Sequence, residues 1–154
     1  MSTAAALSGR VEIPLGTRPD HIASTIACPA YYGSFPDTRC ADGRSLQAFI
    51  CTSEELHPGR RVAVNPIALL RIRDRAGQDD TVICVRRADP AWAEAASAAD
   101  LPDDMRRGFE RFLAAERGTS ETGSTYARWL SRDAALRTID DAAACWAATV
   151  DGRG

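Results

Sequence analysis

The sequence predicts an α+β fold, with strands in the first two-thirds and two helices behind them. Three observations carry this expectation. Apolar residues partly alternate from Arg61 to Arg73, and a short β-prone run, Thr81 to Val85, follows a turn. After Asp89-Pro90 the spacing changes to a helical period. At 154 residues with 45% hydrophobic and 26% charged residues, the chain has the size and balance of one globular domain.

Taken in order, Val11 to Pro14 reads as a short strand stopped by proline, and Gly16 to Pro19 as a turn. Pro29, Gly33, Pro36, Asp37 and Asp42-Gly43 punctuate Pro29 to Gly43 so densely that a long, tightly turned loop is expected there. Leu46 to Thr52 is a strand and His57-Pro58-Gly59 a turn. Arg61 to Arg73 and Thr81 to Val85 are antiparallel strands joined by a hairpin-type turn over Asp74 to Asp80. A helix opens at Leu101-Pro102, with Asp103 and Asp104 at its positive end, and runs to about Arg117 before Gly118. Met105, Phe109, Phe112 and Leu113 share one of its faces. Gly118 to Ser124 is a polar connection. A second helix covers Asp133 to about Thr149, with Ala135, Ile139, Ala142 and Trp146 on one face. With no internal repeat and no linker, residues 1–154 are read as a single domain.

Composition narrows the function. A net charge of −2 argues against a broad nucleic-acid footprint, and no apolar run reaches the roughly 20 residues of a membrane helix. All 19 basic residues are arginine, so no lysine can form a Schiff base, act as a base or hold a phosphate. Five cysteines without zinc-type spacing, and a start lacking the basic and apolar parts of a signal peptide, point to free thiols in the cytoplasm.

The sharpest chemical pattern is acidic. Asp42 lies in the Gly-rich loop, and Asp74 and Asp79 are expected to face each other across the hairpin turn. Converging carboxylates either share a divalent cation or raise one another's pKa. The plainer reading is that aspartate favours turns for its own backbone hydrogen bonds. His57 reads as a solvated turn residue, and His21 stands too isolated to name a triad. Cys28 and Cys40 read as buried thiols. Arg71, Arg73 and Arg75 share a strand face that is either solvated or anion-binding.

The order of motifs resembles the soluble inorganic pyrophosphatase family. Glu12-Ile13-Pro14, Pro29 to Thr38, Ala41 to Gln47 and Leu70 to Asp79 follow that family's segments, and Leu101-Pro102, Phe112-Leu113 and Trp129 fall in the same order. The likeness spans roughly Val11 to Ala148. It implies an OB-like five-stranded β-barrel with flanking helices, and a homo-oligomer. It also implies Mg²⁺ held between carboxylates and a mouth that grips diphosphate. Within that pattern Asp42 matches the first aspartate of the signature, but Arg44 and Gln47 stand where the second and third belong. Glu116-Arg117 replaces the late Tyr-Lys pair, and the segment between Glu12 and Pro29 is shorter by about a hairpin.

These departures lead to an expectation of a repurposed enzyme that acts on an organic small molecule by metal-independent acid/base chemistry, with hydrolysis, isomerisation or cyclisation as the reaction class. Asp42, Asp74, Asp79 and Tyr32 are its expected catalytic residues, and Arg44, Gln47, Glu12, His21 and Arg117 its expected substrate contacts. No cofactor is expected. The alternatives are Mg²⁺-dependent hydrolysis of inorganic diphosphate, with Asp42, Asp74 and Asp79 as metal ligands, and a non-catalytic binding or assembly protein.

Overall fold

The computed structural model describes residues 8–13, 30–41, 43–54, 56–57, 59–74, 77–116 and 126–151. The described residues form six strands and two α-helices: β1 (Ser8–Ile13), β2 (Tyr31–Ser34), β3 (Gln47–Cys51), β4 (Arg61–Asp74), β5 (Gly77–Arg86), α1 (Asp103–Glu116), β6 (Tyr126–Leu130) and α2 (Arg132–Asp151), with two short 3-10 turns between β5 and α1. The strands lie in the order β1-β2-β3-β5-β4-β6, and β1 also pairs with β4. That extra pairing closes β1, β2, β3, β5 and β4 into a five-stranded ring, and β6 is added outside β4. Closure removes the free edges that a sheet of this size would otherwise expose.

The long strands are buried on both faces, which explains their nearly continuous apolar runs. Phe49, Leu70, Ile72 and Ile83 pack in one cluster with Phe109, Phe112 and Leu113 of α1. Their neighbours Ala48, Ile50, Leu69 and Val82 belong to a second cluster, with Ala135, Ile139 and Ala142 of α2. Successive strand residues point to opposite faces, so each helix covers one parity. Among the described residues no helix is long and apolar enough to cross a membrane.

The structure corrects the sequence reading in four places. The loop expected over Pro29 to Gly43 contains β2, because Tyr31-Tyr32-Gly33-Ser34 is paired on both sides, by β1 and β3. The hairpin turn is shorter than expected, since the ladder continues to Asp74↔Gly77. Between the helices, Tyr126–Leu130 forms β6 against Leu69 to Arg73 of β4. Finally, Trp146 is 38% exposed rather than packed with Ala135, Ile139 and Ala142. Residues 143–148 of α2 are exposed as a group, so burial of this helix stops at Ala142. The turn at His57 is as expected: Arg60 N–H donates to the His57 carbonyl at 3.2 Å, and His57 is exposed.

Candidate functional site

Two pieces of backbone build the site. The first is the lobe from Phe35 to Leu46, closed at its base by a hydrogen bond from Phe35 N–H to the Leu46 carbonyl at 2.9 Å. The buried hydroxyl of Thr38 clips the same base. It donates to the Phe35 carbonyl at 2.7 Å and accepts from Leu46 N–H at 3.0 Å. Within the lobe, Cys40 N–H donates to the Arg44 carbonyl at 2.7 Å, and Gly43 N–H to the Cys40 carbonyl at 2.9 Å. This tight turn needs Gly43 at φ 86°, where a side chain would be strained. Asp37 also takes a left-handed φ of 58°, which aspartate tolerates better than most residues. Arg39 N–H then donates to the Ala142 carbonyl at 3.0 Å, fastening the lobe to α2.

The second piece is the β4–β5 hairpin. Arg71 donates to both carboxylate oxygens of Asp80, at 2.8 and 3.2 Å, and Arg73 donates to Gln78 Oε1 at 2.7 Å. The Asp80 hydrogen bonds hold the Arg71 guanidinium above its usual pKa, although partial burial opposes them. The expected solvated or anion-binding row of arginines is thus a set of cross-strand pairs for Arg71 and Arg73, while Arg75 lies outside the described residues. Asp79 pairs in register with Ile72, and Asp74 with Gly77. Asp74 and Asp79 therefore occupy a diagonal of the ladder and not opposite positions, because the pairing runs on to Asp74 and Gly77. Diagonal positions are about 7–8 Å apart, against about 4.5–5.5 Å for opposed ones.

Lobe and hairpin open onto one cavity of about 1030 Å³, whose lining includes Tyr32, Arg44, Gln47 and Asp79. These four of the expected site residues are thereby brought together. Tyr32 is held from behind by rings, with centroids 5.1 Å from Phe49 and 5.2 Å from Phe112. Gln47 is oriented by its own loop, donating from Nε2 to the Ser45 carbonyl at 3.0 Å. Asp79 is exposed to the cavity mouth. Asp42, His21 and Arg117 lie outside the described residues, and Glu12 and Asp74 are described as backbone positions in β1 and β4 only.

The same cavity is lined by groups that sequence reasoning missed: Arg39 and the α2 residues Thr138, Asp141 and Cys145. Arg39 is three residues from Asp42, so proximity could have flagged it. Nothing in the sequence links α2 to the lobe, because the Arg39–Ala142 bond joins residues about a hundred positions apart. Cys40, expected as a buried thiol, is half-buried and lines the cavity.

Among the described residues, no three His, Cys, Asp or Glu side chains cluster as a metal site. Three described carboxylates line the cavity, Asp79, Asp80 and Asp141, and Asp80 is paired with Arg71; carboxylate oxygens are the donors a hard cation takes.

Comparison with known proteins accounts for this architecture. The family model described as inorganic pyrophosphatase matches residues 17–147. An inorganic pyrophosphatase of Methanosarcina acetivorans is 28% identical over 146 residues, covering 86% of this chain and 87% of that protein. Another, from Leifsonia xyli, is 30% identical over 118 residues, covering 68% and 72%. The crystal structure of the Thermus thermophilus inorganic pyrophosphatase superposes with a TM-score of 0.71 at 25% identity, covering 90% of each chain. That of Neisseria gonorrhoeae gives 0.75 at 21% identity, covering 94% of each. A match over most of the length, with the same barrel beneath it, makes this chain a member of the inorganic pyrophosphatase family.

Proposed function

We propose that this chain hydrolyses inorganic diphosphate in a slow, Mg²⁺-dependent reaction at the barrel mouth. One observation carries the reading: the lobe and the hairpin place Arg44, Gln47, Tyr32 and Asp79 around a single open cavity. Guanidinium groups at such a mouth suit an oxyanion, and carboxylates suit a hard cation. The relatives from Methanosarcina acetivorans and Leifsonia xyli, both named inorganic pyrophosphatase, support the same substrate.

Asp79 fits a Mg²⁺ ligand set by donor chemistry, with Asp42 and Asp74 as its partners in sequence. When bound, Mg²⁺ neutralises and polarises the diphosphate oxygens. Arg44 adds a fixed positive charge for the anion, and the Tyr32 hydroxyl, backed by its two phenylalanines, is the neutral donor on that wall. An arginine cannot accept a proton from water, so no base stands at position 44, and this makes the reaction slow. Free cysteines at positions 40, 51, 84 and 145 support a reducing, cytoplasmic setting.

A phosphate-release assay tests the reading. Turnover is expected below about 1 per second, under the ordinary enzyme range, and it should vanish with chelator and in Asp79→Asn. Absence of any release above the Mg²⁺ blank would overturn it. Arg44 and Gln47 favour a second reading in that event, in which a repurposed mouth binds an organic small molecule and a crowded aspartate serves as acid or base. Glu12, His21 and Arg117 would then be its remaining candidate contacts.

A further inference from the structure

The cavity is larger than inorganic diphosphate fills. At about 1030 Å³ it matches the upper end of pockets that enclose drug-sized molecules, roughly 300–1,000 Å³. The surplus has a definite wall. Thr138, Asp141 and Cys145 of α2 line the cavity together with Arg39 and Arg44 of the lobe. Their spacings of three and four residues put them on one face of the helix. The hydrogen bond from Arg39 N–H to the Ala142 carbonyl sets that face at a fixed position beside the lobe.

The wall belongs to α2 and not to the hairpin that carries Asp79, so Asp141 is no part of the proposed Mg²⁺ ligand set. It is well placed to accept hydrogen bonds from hydroxyl groups, with the Thr138 hydroxyl one turn away able to donate or accept. An apolar substituent would instead have to desolvate the Asp141 carboxylate.

We infer that the α2 wall is a subsite for the hydroxyl-bearing organic part of a phosphorylated ligand, such as the sugar of a nucleoside diphosphate, whose phosphates face Arg39 and Arg44. The inference rests on the phosphate-binding reading of the mouth, and it adds an organic partner to that site.

Cys145 provides a reporter that does not depend on turnover. It is exposed on the same wall, whereas burial pushes the Cys51 thiol up to about 12 and the Cys84 thiol upward as well. Alkylation of the full chain is followed by peptide mass at Cys145, with adenosine diphosphate, inorganic diphosphate or dimethylallyl diphosphate as the probe. Adenosine diphosphate should slow Cys145 alkylation about fivefold or more at saturation, and inorganic diphosphate should leave it within about twofold. Asp141 is exposed and Thr138 half-buried on α2, and Asp141→Ala and Thr138→Val should each weaken the adenosine diphosphate protection constant about tenfold, as loss of a hydrogen bond does. Inorganic diphosphate hydrolysis should be unchanged in both variants. Equal protection by the two diphosphates, or full protection in both variants, would overturn the subsite. Protection by dimethylallyl diphosphate matching that by adenosine diphosphate would overturn its hydroxyl preference. Protection by adenosine diphosphate without any diphosphate hydrolysis would support the subsite while removing the proposed activity.

Discussion

Arg44 and Gln47 are the residues on which the proposed activity turns. They sit at the end of a turn that Gly43, Cys40 and Thr38 hold rigidly, so replacing their side chains should leave the lobe's path intact. Arg44→Asp would put a proton acceptor at the mouth, and Gln47→Asp would add a cation ligand. General-base catalysis contributes about 10²–10⁴-fold, so the double variant should raise Mg²⁺-dependent phosphate release by at least about a hundredfold. Steady-state phosphate release at matched Mg²⁺ checks this, and an unchanged rate would mean that the mouth does not hold diphosphate productively. Gly43 is a different kind of residue in the same turn: it carries no chemistry, but its positive φ shapes the loop that does.

At the level of elements, α1 and the hairpin both support the site. Phe109 and Phe112 are fully buried, and Phe112 touches both Tyr32 and Phe49. A helix face of this kind is what stabilises α1, since propensity alone rarely holds a helix of its length. Phe112→Ala should cost about 3–5 kcal/mol, read as a shift in the urea midpoint. It should also lower phosphate release at permissive urea-free conditions, because Tyr32 loses one of its two ring supports. The hairpin supplies rigidity in another way, through the paired Arg71–Asp80 and Arg73–Gln78 contacts. Trp129 of β6 ties the outer strand back to α1 by donating to Glu110 at 2.7 Å.

For the whole molecule, one buried carboxylate joins the ends of two strands. Asp89, just after β5, accepts from the Ser53 backbone and hydroxyl, the Thr52 hydroxyl and Ala91 N–H. The Ser53 N–H bond is the largest cause of its low pKa, about 2; burial opposes it, and the remaining donors lower the value further. A carboxylate with a folded pKa below its unfolded value of about 3.9 adds stability that is fully present above the unfolded pKa. That stability is lost as pH falls from about 4 toward 2. The thermal midpoint of the native chain should therefore exceed that of Asp89→Asn at neutral pH, and the gap should narrow below about pH 4. A gap independent of pH would show that the Asp89 charge does not hold the two strand ends together.

Local pattern determined the elements with strong periods or clear stops: the β4 and β5 strands, the helix behind Leu101-Pro102, and the turn at His57. The resemblance carried by four short motifs determined the barrel. Tyr32, Arg44, Gln47 and Asp79 were legible as candidate site residues because each sits inside one of those motifs, and the fold lines one cavity with them. What stayed hidden depends on partners far away in the chain. β2 and β6 are short and irregular in sequence, and they become strands only because β1, β3 and β4 offer them hydrogen bonds. Register placed Asp74 and Asp79 diagonally, through a turn shorter than the residue types implied. The α2 wall of the cavity exists because a backbone hydrogen bond between Arg39 and Ala142 brings it there. A backbone hydrogen bond uses groups that every residue but proline carries, so no choice of side chain announces it, and only the folded chain decides where it forms.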